Sequence, residues 1–210
     1  MTTETRELAE FTSISLGGNG ELTLVHGSKP SVTINADPDT MEHLKVEVEN
    51  GRLVLGMQSW LDHLFHSWKK VYYTVTYTSL EAVSVSGSGK VVADELLADH
   101  FKFHLSGSGS FASKQITTED LELHVSGSAE INLAGMARST EVVISGSGKV
   151  VASELVCQSA KVRVSGSGNL KLNVTEKLDV TISGSGSVRY LGSPTVSQSI
   201  SGSGSVKQIE

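Results

Sequence analysis

The sequence predicts an all-β solenoid, a stack of coils of about 20 residues each, and three observations carry that reading. The tetrapeptide Ser-Gly-Ser-Gly starts at Ser86, Ser106, Ser145, Ser165, Ser183 and Ser201, with the variant Ser-Gly-Ser-Ala at Ser126. Successive starts are 20, 20, 19, 20, 18 and 18 residues apart, a period at which each repeat can cover the apolar face of the next. Apolar residues also recur at constant offsets from those starts. Composition agrees: glycine (21) and serine (32) make up about a quarter of 210 residues, as in a flexible linker, but 24 valines argue for β structure.

In order along the chain, residues 1–10 are polar and read as a disordered or extended N-terminus. Residues 11–80 read as irregular β coils. Residues 14–22 match residues 83–91 position by position in character, and further strands are expected over 32–36, 44–48, 53–57 and 71–78. Residues 37–43, with Pro38, have the composition of a helix start, and Asn50-Gly51 between alternating stretches is a hairpin signal. A short amphipathic helical insertion is expected near 60–68.

Residues 81–210 read as seven regular coils of one continuous core. One and three residues before each start stand Val85/Val83, Leu105/Phe103, Val125/Leu123, Ile144/Val142, Val164/Val162, Ile182/Val180 and Ile200/Gln198. Ser84, His104, His124, Val143, Arg163, Thr181 or Ser199 lies between them. This is the period-2 pattern of a half-buried strand. Five residues after each start comes Val91, Phe111, Ile131, Val150, Leu170, Val188 or Val206, all apolar. Each coil therefore holds a strand, a Gly-Ser corner, a second strand and a variable return segment. Glycine suits the corner because a sharp turn beside a neighbouring coil needs special backbone angles and leaves little room for a side chain. The serine hydroxyls are expected to form ladders between coils.

The counts exclude several classes. Apolar runs reach four or five residues, short of the roughly 20 that span a bilayer. A single cysteine, Cys157, allows no intrachain disulfide, and a net charge of −6 gives no help to phosphate binding, so no nucleic-acid partner is expected. The first seven residues lack the pattern of a signal peptide, which fits either the cytoplasm or a leader removed from the numbered chain.

Residues 11–14 (Phe-Thr-Ser-Ile), 29–37 (Lys-Pro-Ser-Val-Thr-Ile-Asn-Ala-Asp), 44–48, 50–53 and the Val-Ser-Gly-Ser-Gly units together resemble one bacterial family. It is the one known as the putative auto-transporter adhesin, head GIN domain. The resemblance covers about residues 11–206. It implies a right-handed, three-sided parallel β-helix located in the cell envelope, periplasmic or surface-exposed, and it brings no catalytic residues and no cofactor.

Four groups invite a functional reading. His63 and His66, one helical turn apart with Asp62 nearby, are candidate metal ligands. Trp60 and Trp68 are a candidate partner-docking patch, though packing of the rings over the β-helix is the simpler account. His104 and His124 fall in one outward column with Arg163 two coils later, a candidate ligand surface; a solvated stack is again simpler. Lys171, Arg189 and Lys207 join them as polar columns suited to adhesion or assembly. For catalysis, the only acidic coincidence in the return segments is Glu95 and Glu154, three coils apart, and no acidic column is expected on neighbouring coils. Cys157 occupies the slot of Ala98 and reads as a small buried residue. The expected function is a non-enzymatic envelope or secreted protein presenting a rigid surface to glycan or protein ligands. A homo-oligomeric structural component stands as the alternative, and a polysaccharide enzyme as a remote one. The last coil has no capping helix, so its end is expected to be covered by another subunit, the N-terminal region or a tail strand.

Overall fold

A computed structural model of the chain describes residues 1–58 and 69–210. The N-terminal part holds β1 (Thr2–Glu7), β2 (Ser13–Gly18), β3 (Glu21–His26), β4 (Ser31–Ala36), the one-turn helix α1 (Pro38–Met41), β5 (Leu44–Glu49), β6 (Arg52–Met57) and β7 (Tyr72–Tyr77). The regular part begins with β8 (Ala82–Gly87) and continues through the long strands β9 (Lys90–Gly107), β10 (Ser110–Gly127), β11 (Glu130–Gly146), β12 (Lys149–Gly166) and β13 (Asn169–Gly184). It ends with β14 (Ser187–Leu191), β15 (Thr195–Ser201) and β16 (Ser205–Gln208).

Each long strand is one coil of a parallel β-solenoid, and its pairing with the next coil breaks at fixed places. Between β9 and β10 the register passes over Lys114 and Glu119. With the Gly-Ser corner these make three bends per coil, so the stack has three sides. Residues 90–93 and their equivalents form face I, 95–98 face II, and 100–107 face III. His104 pairs with His124, Leu123 with Phe103 and Val142, and Gly127 with Gly107 and Gly146, the alignment expected from the repeat.

The two glycines of each corner serve different ends. The first takes a left-handed backbone and leaves no space for a side chain: Gly107 has φ 128°, and a Cβ there would lie 2.2 Å from the Gly87 carbonyl oxygen. That carbonyl accepts a hydrogen bond from Ser108 N–H at 2.9 Å, and the Gly107 carbonyl accepts one from Ser128 N–H at 3.0 Å. The second glycine faces inward, and the one methyl in that column, Ala129, is buried. The expected hydroxyl ladder is replaced by this backbone ladder. Ser86, Ser88, Ser106 and Ser108 are exposed, and among the described residues the corner hydroxyls make no hydrogen bonds with one another.

Inside, the predicted columns are the core. Val83, Phe103, Leu123, Val142, Val162 and Val180 are buried, as are Val91, Phe111, Ile131, Val150, Leu170 and Val188. Phe103 stacks on Phe111 with centroids 4.4 Å apart. Removing such side chains from water is the main favourable contribution to folding.

The N-terminal strands join the stack out of chain order. β2 pairs in parallel with β8, Ile14 beside Val83, and β3 with β9, Leu22 beside Val91. β6 and β7 then lie outside β2 and β3, and the outermost layer reverses: β4 is antiparallel to β7, β1 to β4, and β5 to β6. The reversal uses two local devices. Pro38 opens α1 at its first turn, and the β5–β6 hairpin turns through Asn50 (φ 50°) and Gly51 (φ 74°), the positive pair a tight hairpin needs.

At the other end the coil shrinks. Ala152 pairs with Leu172, then Val156 with Asn173 and Ser159 with Lys177, so face II loses residues as the repeat shortens to 18. In the last coil the inward columns open: Gln198 is exposed, Ile200 is 39% exposed, and Val196 and Val206 are half-buried. The N-terminal strands lie at the far end of the stack, and the chain after β15 continues as β16 within the same coil, paired to β14. Among the described residues, neither the N-terminal strands nor β16 pairs with the outer edge of β15.

Candidate functional site

Face III carries the histidine column. His104 and His124 stand on paired positions with ring centroids 6.3 Å apart, and His124 Nε2 lies 3.7 Å from Glu122 Oε2. Val143 separates them from Arg163, whose guanidinium is engaged by Glu141. The column thus brings two of the three candidates together, and the third is held by its own partner.

The same face corrects the expectation that no acidic column forms on neighbouring coils. Glu122 and Glu141 are cross-strand neighbours, and with Glu81, His100, Lys102, Asp120 and Ser139 they line a groove of about 450 Å³. Each of these two carboxylates has a cation: Lys102 Nζ is 2.7 Å from Glu122, and Arg163 contacts Glu141. Asp120 accepts a hydrogen bond from Ser139 Oγ at 2.5 Å and has Arg138 Nη2 at 3.4 Å and His100 Nδ1 at 2.9 Å. The Ser139 hydroxyl, the Arg138 guanidinium and His100 hold its carboxyl below the usual range. A general acid needs the opposite environment, one that raises a carboxyl toward neutrality. The groove is built as an ion-pair lattice.

Trp60, His63, His66 and Trp68 lie outside the described residues, as does the helical insertion expected near 60–68. Among the described residues no three His, Cys, Asp or Glu side chains converge as a metal site. Cys157 is buried, its Sγ contacts the Asn173 carbonyl at 3.4 Å, and burial pushes its thiol up, away from the reactive thiolate.

Face I differs from face III toward the C-terminal end. There Lys171 pairs with Arg189 and Arg189 with Lys207, three cations on successive coils, spaced about 4.8 Å apart by the sheet. All three are exposed, and among the described residues none has an ion pair. Further up the same face Lys149 is already matched by Glu130 at 2.8 Å. A groove of about 250 Å³ runs along this column, lined by Lys149, Val151, Asn169, Lys171, Ser187 and Arg189. Like charges on directly opposite strand positions repel, so the column is held against its own electrostatics and draws anions.

Face II exposes an apolar column that the sequence reading missed: Leu97 (43%), Met136 (60%) and Val156 (40%), joined through Thr117. These residues sit in the return segments, where coil length varies and no constant offset from the Ser-Gly start reveals them.

The chain resembles several solved structures over nearly its whole length. An adhesin-like protein of Bacteroides fragilis, described as a putative adhesin, superposes with a TM-score of 0.89 at 26% identity, covering 99% of this chain and 96% of that one. A protein of Parabacteroides distasonis described as a putative lipid binding protein gives 0.80 at 22% identity, covering 100% and 96%. A putative adhesin of Parabacteroides merdae gives 0.76 at 21% identity, with the same coverage. No match is found among curated proteins, and no helix among the described residues is long and apolar enough to cross a membrane. The family described as "Putative auto-transporter adhesin, head GIN domain" matches residues 10–194, and with the stacked coils and Ser-Gly corners in place the chain belongs to that family.

Proposed function

We propose that the protein is a non-catalytic binding module of the bacterial cell envelope, periplasmic or surface-exposed, that holds an acidic polysaccharide along face I. The observation that carries this reading is the column Lys171, Arg189, Lys207, three exposed cations on successive coils without an ion-pair partner among the described residues. Its spacing of about 4.8 Å is close to the advance of one sugar ring along an extended polysaccharide. A row of single charges at that pitch suits a linear polyanion better than a membrane, which would also call for apolar side chains beside the cations. The family and the adhesin-like relatives support a role in binding.

The test compares polygalacturonate with neutral dextran in titration calorimetry at low and high salt. Polygalacturonate binds, its affinity falls as salt screens the column, and the triple variant Lys171→Gln, Arg189→Gln, Lys207→Gln loses about tenfold or more, which corresponds to about 1.4 kcal/mol. Equal binding of dextran, or an unchanged triple variant, overturns the glycan assignment. Stronger capture by phosphatidylglycerol vesicles than by polygalacturonate replaces it with a membrane surface. Release of new reducing ends from polygalacturonate overturns the non-catalytic reading.

A further inference from the structure

The strand at the open end of the solenoid is a palindrome. β15 reads Thr195-Val-Ser-Gln-Ser-Ile-Ser201, and about Gln198 the residue classes mirror: Ser197 with Ser199, Val196 with Ile200, Thr195 with Ser201. Among the described residues β15 pairs with β13 alone, so its other edge carries unpaired backbone groups. From Tyr190 to Val206 the chain has no charged residue. The outer strands at the opposite end are of another kind: β1 carries Glu4, Arg6 and Glu7, and β5 carries Lys45, Glu47 and Glu49. An uncharged, β-prone edge on an exposed coil is what a protein avoids unless something pairs with it.

We infer that β15 is the interface with a second copy of this chain, the two solenoids joined C-terminal end to C-terminal end by antiparallel β15–β15 pairing about a two-fold axis at Gln198. The occupant is a second copy because the strand complements itself. In that register Val196 of each copy stands opposite Ile200 of the other, and the half-open inward columns close over one another. Gln198 meets its own mate. In the six preceding coils the Gln198 slot holds buried Val83, Phe103, Leu123, Val142, Val162 and Val180. A glutamine fits there when a second amide faces it, since an amide both donates and accepts and two of them pair in one register. The outward row matches Ser197 to Ser199 and Thr195 to Ser201, small hydroxyls with no charge to repel. Head-to-tail stacking would set the uncharged β15 against the charged outer strands β1 and β5, which offer it no matching row. A two-fold, isologous contact is also the commonest way for a soluble protein to self-associate.

The experiment uses charge placement that only this register reads. Ser197 and Ser199 are exposed, so both double variants keep the fold, which circular dichroism and melting verify. With Ser197→Glu and Ser199→Glu, each carboxylate faces a carboxylate of the second copy, and the dimer dissociation constant measured by sedimentation equilibrium rises at least about tenfold, or 1.4 kcal/mol. With Ser197→Glu and Ser199→Lys, each lysine faces a glutamate of the second copy, and the dimer persists or tightens. The substitution at 197, beside Asp179 of β13, is common to both variants, and the changed position 199 lies beside the neutral Thr181. Gln198→Cys forms an interchain disulfide on air oxidation, since the buried Cys157 does not compete. A monomeric parent chain at the highest soluble concentration, or equal dissociation constants for the two double variants, overturns the inference.

Discussion

At its N-terminal end the solenoid turns the chain back on itself. β4, β1 and β5 run antiparallel to their neighbours, so the outermost strands belong to a different pairing scheme from the coils they close. Their outer positions are charged and internally matched: Arg6 Nε lies 2.7 Å from Glu4 and Lys45 Nζ 2.6 Å from Glu49. Toward its C-terminal end the repeat simply continues and shortens to 18 residues, and the inward columns of β15 and β16 stand half open. One end is finished by topology and charge, the other is left as a template. The two ends of the stack differ in pairing scheme and in charge, and that difference predicts different responses to the same change.

The largest difference is expected at the corners. Gly127→Ala places a Cβ 2.3 Å from the Gly107 carbonyl oxygen at φ 122°, between two full coils, and costs about 3–5 kcal/mol in denaturant unfolding. Gly202→Ala meets the Gly184 carbonyl at 2.5 Å with φ 116°, nearly the same clash, but its coil has a neighbour on one side only and can yield. Its cost is about 1 kcal/mol. Equal costs would show that the last coil is held as firmly as the middle ones.

Core truncation sharpens the same contrast. Leu123→Ala removes a fully buried side chain and costs about 2–5 kcal/mol, whereas Ile200→Ala at 39% exposure costs under about 1 kcal/mol in the monomer. Pairing of β15 with a second copy would raise the cost at Ile200, so measuring it above and below the dissociation constant reads the interface directly.

The smallest effect is the response to acid. Hydrogen bonds from Lys70 and then Lys90 hold the Glu21 carboxyl below its ordinary 4.5, and Lys69 does the same for Asp37. A carboxyl with a lowered folded pKa adds stability that is complete above about pH 4.5 and is lost as pH falls through the folded value. Acidification therefore weakens hydrogen-exchange protection in β3 and β7. β14 and β15 contain no Asp or Glu and keep their protection over the same range. Glu21→Gln flattens the response at the N-terminal end, and an unchanged profile for that variant would remove Glu21 from the account.

Much of this architecture is legible without coordinates because local and tertiary signals coincide in a repeat. The Ser-Gly spacing, the valine columns, the Asn50-Gly51 turn, the Pro38 helix start and the match of residues 14–22 to 83–91 all rest on rules acting within one coil or between identical coils. The faces were harder to read. Glu122 beside Glu141 lay within reach of the repeat, since both stand four residues before a Ser-Gly start, Ser126 and Ser145. The exposed column of Leu97, Met136 and Val156 comes from pairings shifted where coil lengths differ, at Ser113/Ile116 and Asn132/Ala134. Counting from the Ser-Gly start loses register after such a shift.

By itself, then, the sequence determined that the chain coils, where it turns and which side chains face inward, because a strand's two-residue period and glycine's backbone freedom are local properties repeated at a constant spacing. Only the tertiary structure decided how the coils end, which charges meet a partner and which do not, and that the N-terminal strands enter the stack out of order and reversed. Those outcomes depend on which segments meet across 20 or more residues of chain, and hydrogen bonding between strands tolerates several such arrangements until packing and charge select one.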